Sequence, residues 1–209
     1  MNGTGIIRAL GVAFKHLVRT YLVDLRALRA GKKRYYTPVG IAERSSYAAD
    51  GIFTVQYPEE KLPVPEEFRY IPFLVYEEGE SGEKNLRCTS CGICAKVCPP
   101  QCIWITRTVD PVTKRPVPAP AQFYIDVDIC MNCGMCAEFC PFDAIKMDHD
   151  YEIATYQRHS ESIYDLQKLA KPVSYYAKIR PINYAREEAA REAERAAKAA
   201  RKSGTTAGD

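Results

Sequence analysis

No apolar run in this chain of 209 residues reaches the length of about eighteen needed to cross a bilayer, so the chain is not expected to span a membrane itself. Its start carries no secretory or transit signature, which argues for a reducing, cytosol-facing compartment. No glycine-rich phosphate-cradling motif occurs, so direct nucleotide binding has no support, and no nucleic-acid partner is expected. The length itself excludes two independent domains of ordinary size and allows one sizeable core with extensions.

What the chain does have is nine cysteines, eight of them in two tight runs. Cys88-Thr-Ser-Cys91-Gly-Ile-Cys94-Ala-Lys-Val-Cys98-Pro99 returns forty-two residues later as Cys130-Met-Asn-Cys133-Gly-Met-Cys136-Ala-Glu-Phe-Cys140-Pro141. Without a signal peptide, such spacing favours metal over disulfides. Structural zinc pairs one C-x2-C with a second pair or with histidines, and a third cysteine at the same step plus a fourth before proline would be redundant for it. The run is the bacterial type that holds iron–sulfur cubanes, and two copies predict two 4Fe-4S clusters.

A cubane offers four iron corners, each needing one thiolate. A loop stepping three residues at a time wraps three corners, and in this class of run the fourth cysteine ligates the other cluster. Cys88, Cys91, Cys94 and Cys140 are therefore expected to hold the first cluster, and Cys130, Cys133, Cys136 and Cys98 the second. Gly92 and Gly134 follow the second cysteine of each run, where a missing side chain permits a tight turn and lets amides approach the sulfides. Pro99 and Pro141 fix the backbone after the crossing ligand, while Ile93, Val97, Ile103, Met135, Phe139 and Ile145 are expected to shield the cubanes from water. Aligning the halves sets Cys102 over Ala144, so the ninth cysteine is expected to be a small buried side chain and not a ligand.

The flanks read in chain order. Ile6, Ile7, Leu10, Phe14, Leu17, Val18, Tyr21, Leu22, Leu25 and Leu28 recur at three- and four-residue steps, the stripe of an amphipathic helix with a stop at Gly31. Residues 1–34 hold eight basic side chains against the single acid Asp24, whereas the whole chain carries only +3, so the remainder is net acidic. A basic helix with a wide apolar face suits a headgroup layer or a membrane subunit; the alternative is a helix packed on its own core. Residues 35–87, with Pro38, Pro58, Pro63, Pro65 and Pro72, suit an extended wrapping arm with short strands at Phe53 to Tyr57 and Phe73 to Tyr76. Between the runs, Ile103 to Val109 and Phe123 to Val127 predict two strands joined by a proline-rich loop, with Trp104 in core packing and a short helix from about Pro99 and Pro141. Residues 184–202 predict a solvated helix and Ser203 to Asp209 a disordered end.

With these residues in view, the chain resembles a known family. Phe53-Thr-Val-Gln-Tyr-Pro-Glu-Glu-Lys61, the two cysteine runs, Tyr124-Ile-Asp-Val-Asp-Ile-Cys130 and Asp150-Tyr-Glu-Ile-Ala-Thr-Tyr-Gln-Arg158 look like the two-cluster subunit of respiratory complex I, the NADH-quinone oxidoreductase subunit I family. Where that family places Arg-Phe-Arg-Gly, this chain has Glu67-Phe68-Arg69-Tyr70. The resemblance covers roughly residues 53–170 and fits a two-cluster bacterial ferredoxin-like core; with the flanks read above, the expected fold is α+β, with an N-terminal amphipathic helix, an extended proline-rich arm and a C-terminal helical extension. The corresponding parts are 1–34, the membrane-associated helix; 35–87, the arm; 88–170, the 4Fe-4S domain; and 171–209, the extension. It also implies an electron-relay subunit of a proton-translocating NADH:quinone oxidoreductase, with no acid, base or nucleophile of its own. Its expected partners are the terminal-cluster subunit, a membrane-arm subunit and, through the N-terminal helix, the membrane surface. Its expected place is the cytoplasmic side of the plasma (inner) membrane. An equivalent relay in a membrane-bound hydrogenase or ferredoxin-accepting complex, and a free two-cluster ferredoxin, are the alternatives.

Overall fold

Two cysteine-bearing loops need a rigid frame, and the chain builds it from short strands and short helices. A computed structural model describes residues 4–79 and 82–205, and the chain divides after Pro63 into two units. The whole is a mixture of helix and sheet of the α+β kind.

The first unit contains helix α1 (Thr4–Arg29) and helix α2 (Pro38–Arg44). Helix α1 ends in a turn at Gly31, whose φ of 67° suits glycine. None of its residues is buried, and Ile7, Leu10, Phe14 and Leu17 are exposed. Among the described residues no helix is long and apolar enough to cross a membrane. Thr37 caps α2 by accepting from the Gly40 N–H at 3.2 Å. The segment that follows α2 is pinned by a buried ion pair of Arg44 with Glu60, both side chains fully enclosed. Arg44 also donates to the Arg34 and Thr54 carbonyls, and Glu60 accepts from the Tyr36 and Gln56 N–H groups. Each of the three Arg44 nitrogens and both Glu60 oxygens thus has a hydrogen-bond partner, which a charge this deep requires. Phe53 to Tyr57, expected as a strand, is irregular chain that enters a turn at Tyr57 and is tied into this network through the Thr54 carbonyl and the Gln56 N–H.

The second unit holds β1 (Pro72–Glu78), β2 (Lys84–Leu86), α3 (Ile93–Val97), β3 (Ile103–Val109), β4 (Pro116–Asp126), α4 (Met135–Glu138), β5 (Ile145–Met147), α5 (Arg158–Glu161), β6 (Ile163–Tyr164), α6 (Leu166–Leu169), β7 (Ala170–Pro172), α7 (Val173–Ile179) and α8 (Pro181–Thr205). Strand β1 is the hub. It pairs antiparallel with β5 over Pro72–Leu74 and with β2 over Tyr76–Glu78, and parallel with β7 over Leu74–Tyr76. A second sheet has the order β3-β4-β6, all antiparallel.

Side chains alternate across a strand, and β1 buries both faces. Leu74 joins Ile103, Phe123, Ile125, Ile145, Met147 and Leu169 in a core that also contains Cys98, Cys102 and Cys136. Phe73 and Val75 point the other way and pack against Tyr176 of α7. Trp104, expected in the core, is 49% exposed, because its neighbours Ile103 and Ile105 take the inward positions of β3. Strand β4 begins at Pro116, inside the segment expected to be loop; its prolines, Pro116, Pro118 and Pro120, fall in the stretch where the register with β3 shifts and ladder donors are dispensable.

The extension is docked. Glu187 of α8 accepts from Lys146 Nζ at 2.5 Å and from the Tyr176 hydroxyl at 2.6 Å. Asn183 bonds Glu66 and Glu67, and Arg180, just before α8, donates to the Phe68 carbonyl at 2.6 Å. Of the expected disordered end, Ser203 to Thr205 belong to α8 and residues 206–209 lie outside the described residues.

Candidate metal centres

The forty-two-residue repeat is carried by the backbone as well as the cysteines. Ser90 and Asn132 have φ of 56° and 52°, Gly92 and Gly134 have 79° and 80°, and Gln101 and Asp143 have 56° and 51°. Each pair occupies the same place in its run, so both loops follow one left-handed path. The glycines begin the one-turn helices α3 and α4, which lie inside the cysteine runs. The helices expected after Pro99 and Pro141 are turns instead. The third cysteine of each run, Cys94 and Cys136, therefore sits on a helix, and the fourth comes at its end or just beyond.

This path brings thiols of the two runs together. One cavity is lined by Cys88, Cys91, Cys94 and Cys140. Another is lined by Cys98, Cys130, Cys133 and Cys136, together with Cys102. All nine cysteines are free of disulfides. Leu74, Ile105, Phe123, Phe142 and Ile145 wall the first cavity, and Pro72, Ile103, Met131 and Met147 the second. Of the expected shielding residues, Ile93, Ile103 and Ile145 serve, whereas Phe139 is 57% exposed and faces away. Leu74, Pro72 and Met147 come from β1 and β5, distant in sequence from the runs they cover.

The electrostatics of each cavity suit a cationic guest. Burial pushes the Cys94 thiol up to about 12, with Cys88, Cys140 and Cys91 adding to the rise. Burial does the same to Cys136, also to about 12, with Cys130, Cys94, Cys133 and Cys98 contributing. Thiolates gathered in these cavities thus need a countercharge, which an iron–sulfide core supplies through its metal corners. Four thiols around each void match the four corners of a body with several metal ions.

Hydrogen bonds to sulfur come from amides that the spacing of cysteines did not mark. The Ser90 N–H donates to Cys88 and the Asn132 N–H to Cys130, a matched pair created by the left-handed turns. The Ala95 N–H donates to Cys94, and the Ala144 N–H lies 3.4 Å from Cys140 Sγ. The two loops differ in what braces them from outside. Arg69 Nη1 donates to the Cys133 carbonyl at 2.8 Å and Nη2 pairs with Glu138 at 2.6 Å, while Arg107 Nε donates to the Ser90 carbonyl at 2.7 Å.

Comparison with known proteins agrees with this chemistry. A family model described as a 4Fe-4S dicluster domain matches residues 87–150. The NADH-quinone oxidoreductase subunit I 2 of Symbiobacterium thermophilum is 42% identical over 127 residues, 61% of this chain and 50% of the relative. The NADH-quinone oxidoreductase subunit 9 of Rhodothermus marinus is 40% identical over 121 residues, 57% of this chain and 49% of the relative. The subunit I 2 of Solibacter usitatus is 39% identical over 127 residues, 59% of this chain and 80% of the relative. The chain spans about half the length of the first two of these relatives.

Proposed function

This chain belongs to the NADH-quinone oxidoreductase subunit I family, and on that premise we propose that it is the electron-relay subunit of a membrane-bound NADH:quinone oxidoreductase, passing electrons through two 4Fe-4S clusters toward the terminal cluster that reduces quinone. The single observation that carries this reading is the mixing of the two runs around each cavity. Cys88, Cys91, Cys94 and Cys140 hold the first cluster, and Cys130, Cys133, Cys136 and Cys98 the second. When bound, such clusters supply one-electron redox chemistry, for which the chain needs no acid, base or nucleophile.

The chain's own residues do three things. The crossed ligands Cys98 and Cys140 tie the two loops into one rigid unit, so the distance between centres is set by α3 and α4 and not by a flexible linker. Leu74, Phe123, Ile145 and Met147 exclude water, and the Ser90 and Asn132 amides donate to ligand sulfur, which favours the reduced, more negative state.

The remainder of the proposal concerns placement. The parts are the helix 1–34, the arm 35–87, a two-cluster bacterial ferredoxin-like domain 88–170 and the extension 171–209. The unburied apolar side chains of α1, beside a basic excess, support attachment to a membrane-arm subunit and the headgroup layer on the cytoplasmic face, as a peripheral subunit next to the terminal-cluster subunit. Purification from native membranes tests it. The chain is expected in a large quinone-reducing assembly with iron and sulfide for two cubanes; a lone soluble monomer with both clusters, or a chain loaded with zinc, contradicts it.

A further inference from the structure

Cys102 breaks the match between the two halves. The residue forty-two positions on is Ala144, so only the second cavity has a fifth thiol. Cys102 is 1% exposed, its Sγ lies 3.4 Å from Cys98 Sγ, and it lines the same cavity as Cys130. Its backbone is fixed at the start of β3, where the Cys102 carbonyl accepts from the Asp126 N–H at 3.0 Å. At the first cavity the equivalent place holds the Ala144 methyl group, and only a backbone N–H reaches Cys140.

We propose that the Cys102 S–H is a built-in hydrogen-bond donor to the ligand sulfur of Cys98, and that it raises the reduction potential of the second cluster relative to an alanine-lined cavity. The inference rests on the ligand assignment above. Four thiolates fill the four corners of each cubane, so Cys98 and Cys130 carry no proton once they hold iron. Cys102 belongs to neither set of four, and it alone of the three keeps a proton to share. A donor to a ligand thiolate withdraws electron density from the sulfur and stabilises the added negative charge of the reduced state. Cys102 acts through Cys98 and is a positioning residue. The twofold scaffold thus supplies two equivalent cavities, and one side chain makes their potentials unequal.

Redox titration of the full chain carrying both clusters, followed by electron paramagnetic resonance, reads the effect directly. In Cys102→Ala the midpoint of the second cluster is expected to fall, so that at a fixed ambient potential its reduced-to-oxidised ratio drops several-fold while the first cluster is unmoved. Cys102→Ser keeps an O–H donor and is expected to stay near the wild-type value. Alanine is already accommodated at the equivalent Ala144, itself 1% exposed, so the fold tolerates the smaller side chain. Iron analysis comes first: a wild-type chain without two clusters overturns the relay reading and this inference with it. With both clusters present, unchanged midpoints in Cys102→Ala, equal shifts of both clusters, or a serine variant that behaves like alanine overturns the tuning role alone. Loss of the second cluster in either variant makes Cys102 a structural requirement and overturns the tuning role too.

Discussion

Gly134 and Gly92 share a backbone angle, yet they have different neighbours. A Cβ at Gly134 would come within 2.9 Å of Arg69 Nη1 and 3.0 Å of Arg69 Cδ, whereas one at Gly92 would meet nothing within 4 Å. Alanine at either position pays about 1–2 kcal/mol for the left-handed conformation. At Gly134 it must also displace Arg69 from the Cys133 carbonyl, adding about 1 kcal/mol. Gly134→Ala is therefore expected to lose second-cluster iron to a chelator faster than Gly92→Ala loses first-cluster iron. Equal rates would show that Arg69 does not brace the loop. At this scale the three-residue step marks three cysteines of each proposed set, and the class of run supplies the fourth. The amide donors Ser90 and Asn132 are not, since a left-handed φ at a serine leaves no mark in composition.

Secondary-structure elements were legible where periodicity is strong and illegible where contacts are distant. The stripe of α1 and the apolar stretch of β1 stand out in the sequence. The docking of α8 does not, because Glu187 bonds Lys146 and Tyr176 by hydrogen bonds that have no helical period. Glu67 accepts from the Asn183 side-chain amide and pairs with Arg180 at 3.5 Å, a further tie to the extension that has no helical period. In the arm, the decisive element is the ion pair at Glu60. The hydrogen bond from Arg44, and after it those from the Tyr36 and Gln56 amides, hold this carboxyl down to about 2 against an ordinary value of 4.5, although burial opposes them. A depressed carboxyl contributes stability that is complete above its unfolded value and lost as pH falls through its folded value. Amide protection factors across residues 34–60, taken relative to the intrinsic exchange rate at each pH, are thus expected to fall between pH 4.5 and about 2 in the wild type. Glu60→Gln should show lower protection at neutral pH and little further change over that window; an unchanged acid slope in Glu60→Gln would place the titrating group elsewhere.

Across the whole molecule, the repeat makes two cavities from one design, with Cys140 lining the cavity of the first run and Cys98 that of the second. The crossed assignment is the central claim, and electron paramagnetic resonance of the reduced Cys140→Ser chain tests it most directly. The account predicts damage to the cluster held by Cys88, Cys91 and Cys94, with the signal of the Cys130, Cys133, Cys136 and Cys98 cluster retained; a loss confined to that second cluster would contradict it.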